Sequence, residues 1–243
     1  MQKNFFMKNL VIIFGILVIS LVNGYSQDAE KIFDCYIKKS GIIDFDKEIK
    51  CLKIVGKTVS PMGEFVTTIY RKLPNLIRLE SDIQGNKIIQ SFDGEKAWMV
   101  NPFMGFSEPQ ILDEKQSMMI KFQAKQETLF KNYKENGISI NYESEEKVKN
   151  VDCCKLKIKY NDGNVENIYY MYIGKNDCLP IKISYNTEFG DVDIFYSDYK
   201  SIKNNIYYPY KIEMIFGNQF SNTTTIEQII VNQDINDDIF KIK

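Results

Sequence analysis

From Lys50 to about Val231 the hydrophobic period of this sequence is two, with one helical interruption. No other feature restricts the possible folds so strongly. A period of two sends successive side chains to opposite faces of a pleated strand, so one face can be apolar while the other meets water. About eleven runs read as strands: Glu64–Leu73, Asn75–Ile83, Asn86–Phe92, Glu95–Val100, Ile138–Ser144, Cys153–Tyr160, Val165–Ile173, Ile181–Thr187, Asp191–Tyr199, Ile206–Phe216 and Thr223–Val231. Turn signals such as Pro74, Gly85-Asn86, Asn161-Asp162-Gly163-Asn164 and Phe189-Gly190-Asp191 separate several of them. Connections this short join antiparallel neighbours; parallel strands need crossovers of about a dozen residues or more. Within Glu64–Leu73, alternation places Ile69, Arg71 and Leu73 on one face.

Two segments have a helical period. Ile32, Phe33, Tyr36 and Ile37 recur at helical spacing in Ala29–Ser40, and Gly41 ends the run. The second segment, Asp113–Lys134, follows a polar loop at Asn101–Pro109. Met118, Phe122, Leu129 and Tyr133 form its stripe, Met119 and Phe130 widen it, Asp113 is positioned as N-cap, and Gly137 lies beyond its end. A large antiparallel sheet that curls without closing has a concave apolar face that something must cover. The inserted helix is suited to that role. It can pack permanently as core, or serve as a cover that repacks around varied apolar ligands, as Met and Phe allow. No linker divides residues 27–243, so a single α+β domain, mainly β, is expected.

The first residues set a compartment. Lys3 and Lys8 precede the apolar run Leu10–Val22, and Gly24-Tyr25-Ser26 supplies small residues before a cut at Gln27. Met1–Ser26 therefore reads as a signal peptide, because the run is shorter than the roughly 20 residues of a spanning helix. An uncleaved anchor is the alternative. An exported chain with five Cys, at positions 35, 51, 153, 154 and 178, leaves at least one thiol unpaired. Cys153 and Cys154 face opposite ways on a strand, which works against a bond between them. Most of the five are expected to be small apolar fillers, with one distant disulfide the alternative.

Several chemistries are disfavoured. The chain has no His, which removes the commonest general base and most zinc ligand sets. A net charge of −1 argues against nucleic-acid binding driven by bulk charge. Nucleophile-elbow, dinucleotide, phosphate-loop and metalloprotease motifs are missing. Asp191 and Asp193 share a strand face and read as solvated, and Asp234–Asp238 lacks the glycine of a calcium loop. A glycosidase-type carboxylate pair stays open as an enzymatic alternative, although no particular pair is favoured.

One region carries a resemblance. Tyr70-Arg-Lys-Leu-Pro-Asn-Leu-Ile-Arg-Leu79, followed by Phe92-Asp-Gly-Glu-Lys-Ala-Trp-Met-Val-Asn-Pro-Phe103, resembles the periplasmic lipoprotein-carrier family, LolA and its relatives, closest to its outer membrane lipoprotein-sorting branch. The order of elements agrees along the chain, down to Asp238-Ile-Phe240. The resemblance implies an incomplete antiparallel β-barrel covered by two or three helices, with an apolar cavity for acyl chains and neither catalysis nor a cofactor. It implies a monomer in the periplasm that takes lipoprotein or lipid cargo from an inner-membrane donor complex to an outer-membrane acceptor. Leu73, Ile77, Leu79, Phe92 and Trp98 would line the sheet side, opposite Met118, Phe122, Leu129 and Phe130 on the lid. Well-known members carry an Arg immediately before the Pro, which holds the lid and serves in transfer. Leu73 stands there in this chain, and Arg71, on the same expected face, is the candidate substitute. Envelope sensor domains that bind lipid-bearing proteins share the fold and form the alternative function.

Overall fold

The structure, a computed structural model, describes residues 28–163, 165–187, 190–217 and 220–242. The expected signal peptide lies outside the described residues. Helix α1 covers residues 28–40. Gly41 ends it at φ 82°, and a Cβ there would meet the Asn205 carbonyl oxygen at 2.7 Å, so both conformation and space select glycine. A 3₁₀ turn (Ile42–Asp44) and the one-turn helix α2 (Phe45–Glu48) lead into the sheet.

The first half of the sheet comprises β1 (Cys51–Ser60), β2 (Gly63–Lys72), β3 (Leu76–Ile83), β4 (Asn86–Phe92), β5 (Ala97–Asn101) and β6 (Phe106–Ile111). Helix α3 (Glu114–Lys131) follows. The second half comprises β7 (Ser139–Val148), β8 (Val151–Asp162), β9 (Val165–Gly174), β10 (Pro180–Thr187), β11 (Gly190–Lys203), β12 (Ile206–Phe216) and β13 (Phe220–Val231). All strands pair antiparallel in one sheet, ordered β6-β5-β4-β3-β2-β1-β13-β12-β11-β10-β9-β8-β7. This is the expected incomplete barrel, with thirteen strands among the described residues in place of about eleven.

Both additional strands have a physical explanation. β1 alternates in burial from Leu52 to Thr58, but its inward positions include Gly56 and Thr58 while Val55 and Val59 point outward, so its residue types mask the period. β6 occupies part of the expected loop Asn101–Pro109, and Pro109 lies within it. A proline cannot donate to the ladder and would break a central strand, but β6 is at the edge of the sheet, where proline is tolerated. The loop proper shrinks to the 3₁₀ turn Pro102–Met104, where the Phe103 amide donates to Asn101 Oδ1 at 3.1 Å.

The sheet's free edges are β6 and β7, and α3 is the segment that joins them. It therefore crosses the inner face. Its start is the expected cap: Asp113 accepts from the Gln116 amide at 2.8 Å and Gln116 returns the bond at 3.3 Å. Helix α1 packs beside it, with Phe33 edge-to-face on Phe130 and Tyr133 at 5.2 and 5.1 Å. A disulfide joins Cys35 of α1 to Cys178 in the β9–β10 turn, 143 residues away. The expectation that most cysteines are free fillers holds only for Cys51, Cys153 and Cys154. The distant disulfide is present, and Cys153 and Cys154 do not pair with each other.

Candidate functional site

The register decides which side chains face inward. Leu52 pairs with Arg71, Arg71 with Ile77, Ile77 with Phe92, and Phe92 with Ala97, so these form one row. The next row runs Ile54, Ile69, Leu79, Gln90 and Met99. Paired residues share a face, and these rows form the inner face that α3 crosses. Ile69, Arg71 and Leu73 thus share a face, as alternation requires.

Helix α3 meets this face with two different stripes. Ile120 and Ala124 pack with Ile77, Phe92, Ala97 and Met99, while Leu79 and Ile69 lean on the same cluster half-buried. Phe122 and Phe130 turn instead to a cluster built from α1 and β7 to β11, where Met118, Met119 and Leu129 pack half-buried. Met118, Phe122, Leu129 and Phe130 are therefore together, yet they face the second half of the sheet rather than Ile77, Leu79 and Phe92. Leu73 belongs to a third cluster, with Phe45, Leu52 and Ile206.

Trp98 departs furthest from expectation. It pairs with Ser91, which pairs with Arg78, and this row lies on the outer face. The Arg78 guanidinium sits 5.3 Å from its ring. Its indole N–H donates to the Phe240 carbonyl at 2.8 Å, and Ser91 Oγ donates to the same oxygen at 2.9 Å. Asp93 closes the preceding turn by accepting from the amides of Glu95 and Lys96. The segment that carries the family resemblance is thus a structural clasp, which fixes the C-terminal residues to the back of β3 to β5. Trp98→Phe keeps an aromatic ring and deletes the bond. It is expected to cost about 1–2 kcal/mol in urea unfolding followed by circular dichroism, with inner-face chemistry untouched.

Next to the Ile120 and Ala124 stripe of α3, at i+7 and i+3 from those residues, stands Glu127. Its carboxylate accepts from Arg71 Nη1 at 2.8 Å and Nη2 at 2.5 Å, a bidentate pair from β2 to the helix. Arg71 is 6% exposed and Glu127 8%. Burial works against the Arg71 charge, but the Glu127 carboxylate outweighs it and holds the guanidinium pKa above its usual value. Phe45 lies over the guanidinium at 6.0 Å. A second tie, Lys131 to both oxygens of Asp46 at 2.7 and 2.9 Å, fixes the end of α3 to α2 at the surface.

Sequence reasoning singles out Arg71 but misses Glu127, Ile120 and Ala124. Their signal is present: an acidic residue at i+7 from Ile120 on a helix whose apolar stripe it completes. Asp193 and Asp191 prove to be paired on the outer face, Asp193 with Lys182 and Ser184, and Asp191 with Asn186. No cluster of potential metal ligands occurs among the described residues.

No protein-family model and no curated protein matches the sequence. Solved structures do match its fold. A LolA superfamily protein from Nitrosomonas europaea aligns over 88% of this chain and 97% of its own, with TM-score 0.57 and 15% identity. A domain named for outer membrane lipoprotein sorting, from Vibrio parahaemolyticus, aligns over 87% and 97%, with TM-score 0.58 and 11% identity. A DUF1329 family protein from Desulfovibrio piger aligns over 88% and 97%, with TM-score 0.57 and 12% identity. The chain has the LolA-like fold.

Proposed function

We propose that this chain is an exported carrier that shelters acyl chains of lipoproteins, or of other lipids, between α3 and the inner face of the open sheet. The observation that carries this reading is the Arg71–Glu127 pair. A helix that is permanent core needs only apolar contacts, whereas this one is also fastened across the sheet by a desolvated ion pair. On the inner face, Ile69 and Leu79 stay half-buried beside the first half of the sheet, and Met118, Met119, Leu129, Met214 and Phe216 stay half-buried in the cluster of the second half. Alkyl chains entering there would gain about 0.8 kcal/mol per buried CH₂. Binding of that kind is firm and reversible, and it needs neither a cofactor nor a covalent step.

Arg71 supports the comparison with lipoprotein carriers despite Leu73. It stands two residues earlier on the same face, and its partner is the covering helix. The disulfide fits an oxidising compartment such as the periplasm, and a cleaved signal peptide would deliver the chain there. In this reading a monomer receives cargo from an inner-membrane donor and releases it to an outer-membrane acceptor.

Native mass spectrometry of the protein purified from an exporting host tests the proposal. Co-purified lipid or triacylated protein is expected, together with uptake of a fluorescent acyl probe by the emptied protein. Leu79→Glu places a charge beside Ile69 and should abolish uptake with the far-ultraviolet circular dichroism unchanged. An empty protein that takes up no probe would refute the carrier.

A further inference from the structure

A line of hydroxyls crosses the inner face next to the rows that α3 packs against. Beyond Ile54, Ile69 and Leu79 the next row is Gly56, Thr67, Ser81 and Ile88, about 7 Å further along each strand. Ser81 Oγ lies 3.0 Å from Thr67 Oγ1, which lies 2.8 Å from Thr58 Oγ1, which in turn lies 2.8 Å from Thr224 Oγ1. The line therefore spans the adjacent strands β3, β2, β1 and β13. Gly56 makes room for it. Opposite Thr67 it offers no side chain, so Thr67 reaches diagonally to Thr58, and a Cβ on Gly56 would stand 2.9 Å from Thr224 Cγ2. Thr58 is buried, whereas Ser81, Thr67 and Thr224 keep accessible surface. The residues paired with the line, Ile88, Phe65 and Ile212, are apolar, and no charged side chain stands in these positions. The three contacts consume three of the four hydroxyl hydrogens, whichever way each bond runs. One hydrogen is always left over, and reversing bonds along the line moves it to any of the four oxygens. Among the described residues no other side chain or carbonyl accepts it.

We infer that the hydroxyl line Ser81–Thr67–Thr58–Thr224 seats the uncharged ester or amide linkage of an acyl ligand on the inner face, with its shared spare hydrogen donated to the linkage carbonyl. The inference rests on the carrier reading and deepens it by fixing where the ligand's polar group sits. The hydrogen is presented at Ser81, Thr67 or Thr224, the three members that a ligand can reach. From there the alkyl chain runs back over Ile69 and Leu79 toward α3, along an apolar path. A neutral acceptor fits, because a carboxylate brought to this apolar surround would find no countercharge. The same surround makes a single hydrogen bond count. Because the donor is not fixed to one residue, linkages on different strands can be met by the same line, a tolerance that suits a carrier of varied acyl chains.

Displacement of bound 1-anilinonaphthalene-8-sulfonate by methyl decanoate, decanoate and decane at pH 7 tests this. In the parent protein the ester is expected to bind more tightly than the anion, a comparison that needs no variant. Thr58→Val/Thr67→Val/Ser81→Ala/Thr224→Val removes every hydroxyl of the line and leaves apolar groups of similar shape, so the fold should persist. Ester binding should weaken about five- to tenfold in that quadruple variant, with decane binding unchanged. Ser81→Ala alone should weaken it less than about twofold, because three hydroxyls joined by two bonds still leave one hydrogen. Equal ester binding by the parent and the quadruple variant would remove the subsite and leave the carrier standing. A loss in Ser81→Ala as large as in the quadruple variant would overturn the shared hydrogen in favour of one fixed donor. Preference of the parent for the anion would overturn the neutral-carbonyl assignment. Failure of all three compounds to displace the dye would refute the carrier and the subsite with it.

Discussion

Glu127→Leu is expected to lower the unfolding free energy by about 3–5 kcal/mol, because it strands the Arg71 charge in a site that excludes water. Arg71→Met should cost about as much, by stranding Glu127 instead. The informative protein is the double variant Arg71→Met/Glu127→Leu. Replacing both ions with apolar groups of similar volume removes the desolvation penalty together with the attraction, so most of the lost stability should return. Urea unfolding of the four proteins forms a double-mutant cycle, and a coupling of several kcal/mol is the expected result. Near-additive losses would show that the pair contributes little and that α3 is held by packing alone. The cycle also separates stability from function. The double variant should be well folded, yet exchange a bound acyl probe at an altered rate, because the polar fastening between β2 and α3 is gone.

The second large effect concerns the disulfide. Cys35→Ser/Cys178→Ser opens a loop closed over 143 residues. In the chain-entropy account, a loop of that length restricts the unfolded ensemble by about 5 kcal/mol at 25 °C, and measured losses for native disulfides run at about 2–5 kcal/mol. Unfolding with and without reductant should show that loss in the parent protein and none in the double serine variant. The consequence is local as well as global. The bond anchors α1 to the β9–β10 turn, while α3 has no covalent tie to the sheet beyond its own chain ends. Hydrogen exchange in residues 28–40 should therefore rise sharply on reduction. If α1 stays protected, its packing through Phe33 and Tyr36 is sufficient without the bond.

Much of this fold is legible from one-dimensional pattern because strand and helix periods are local. Alternation locates β2 to β5 and β7 to β13 to within a few residues, and the Asp113 cap marks the start of α3. β1 and β6 are hidden for different reasons: β1 places Gly56 and Thr58 inward and Val55 and Val59 outward, and β6 is a short edge strand containing Pro109. The functional face is less legible. Trp98 belongs to the strongest sequence motif, and its apolar bulk suggests the cavity, yet strand parity places it outside against Phe240. A one-residue difference in register inverts the face, so composition cannot decide it. The stripe of α3 looks like a single surface in sequence, whereas a helix that lies across a curved sheet meets two walls and divides its residues between them.

The sequence by itself determined that this chain would be a single antiparallel sheet with an inserted helix, that it would have no histidine to serve as a general base, and that Arg71 would share a face with Ile69 and Leu73. Those properties follow from local periodicity and residue type. Only the tertiary structure decided that Arg71 meets Glu127, 56 residues away, that Cys35 finds Cys178, and that one guanidinium N–H is left without a partner. Each is a relation between distant elements, set by how far the sheet curls and where α3 crosses it, and no local pattern encodes that geometry.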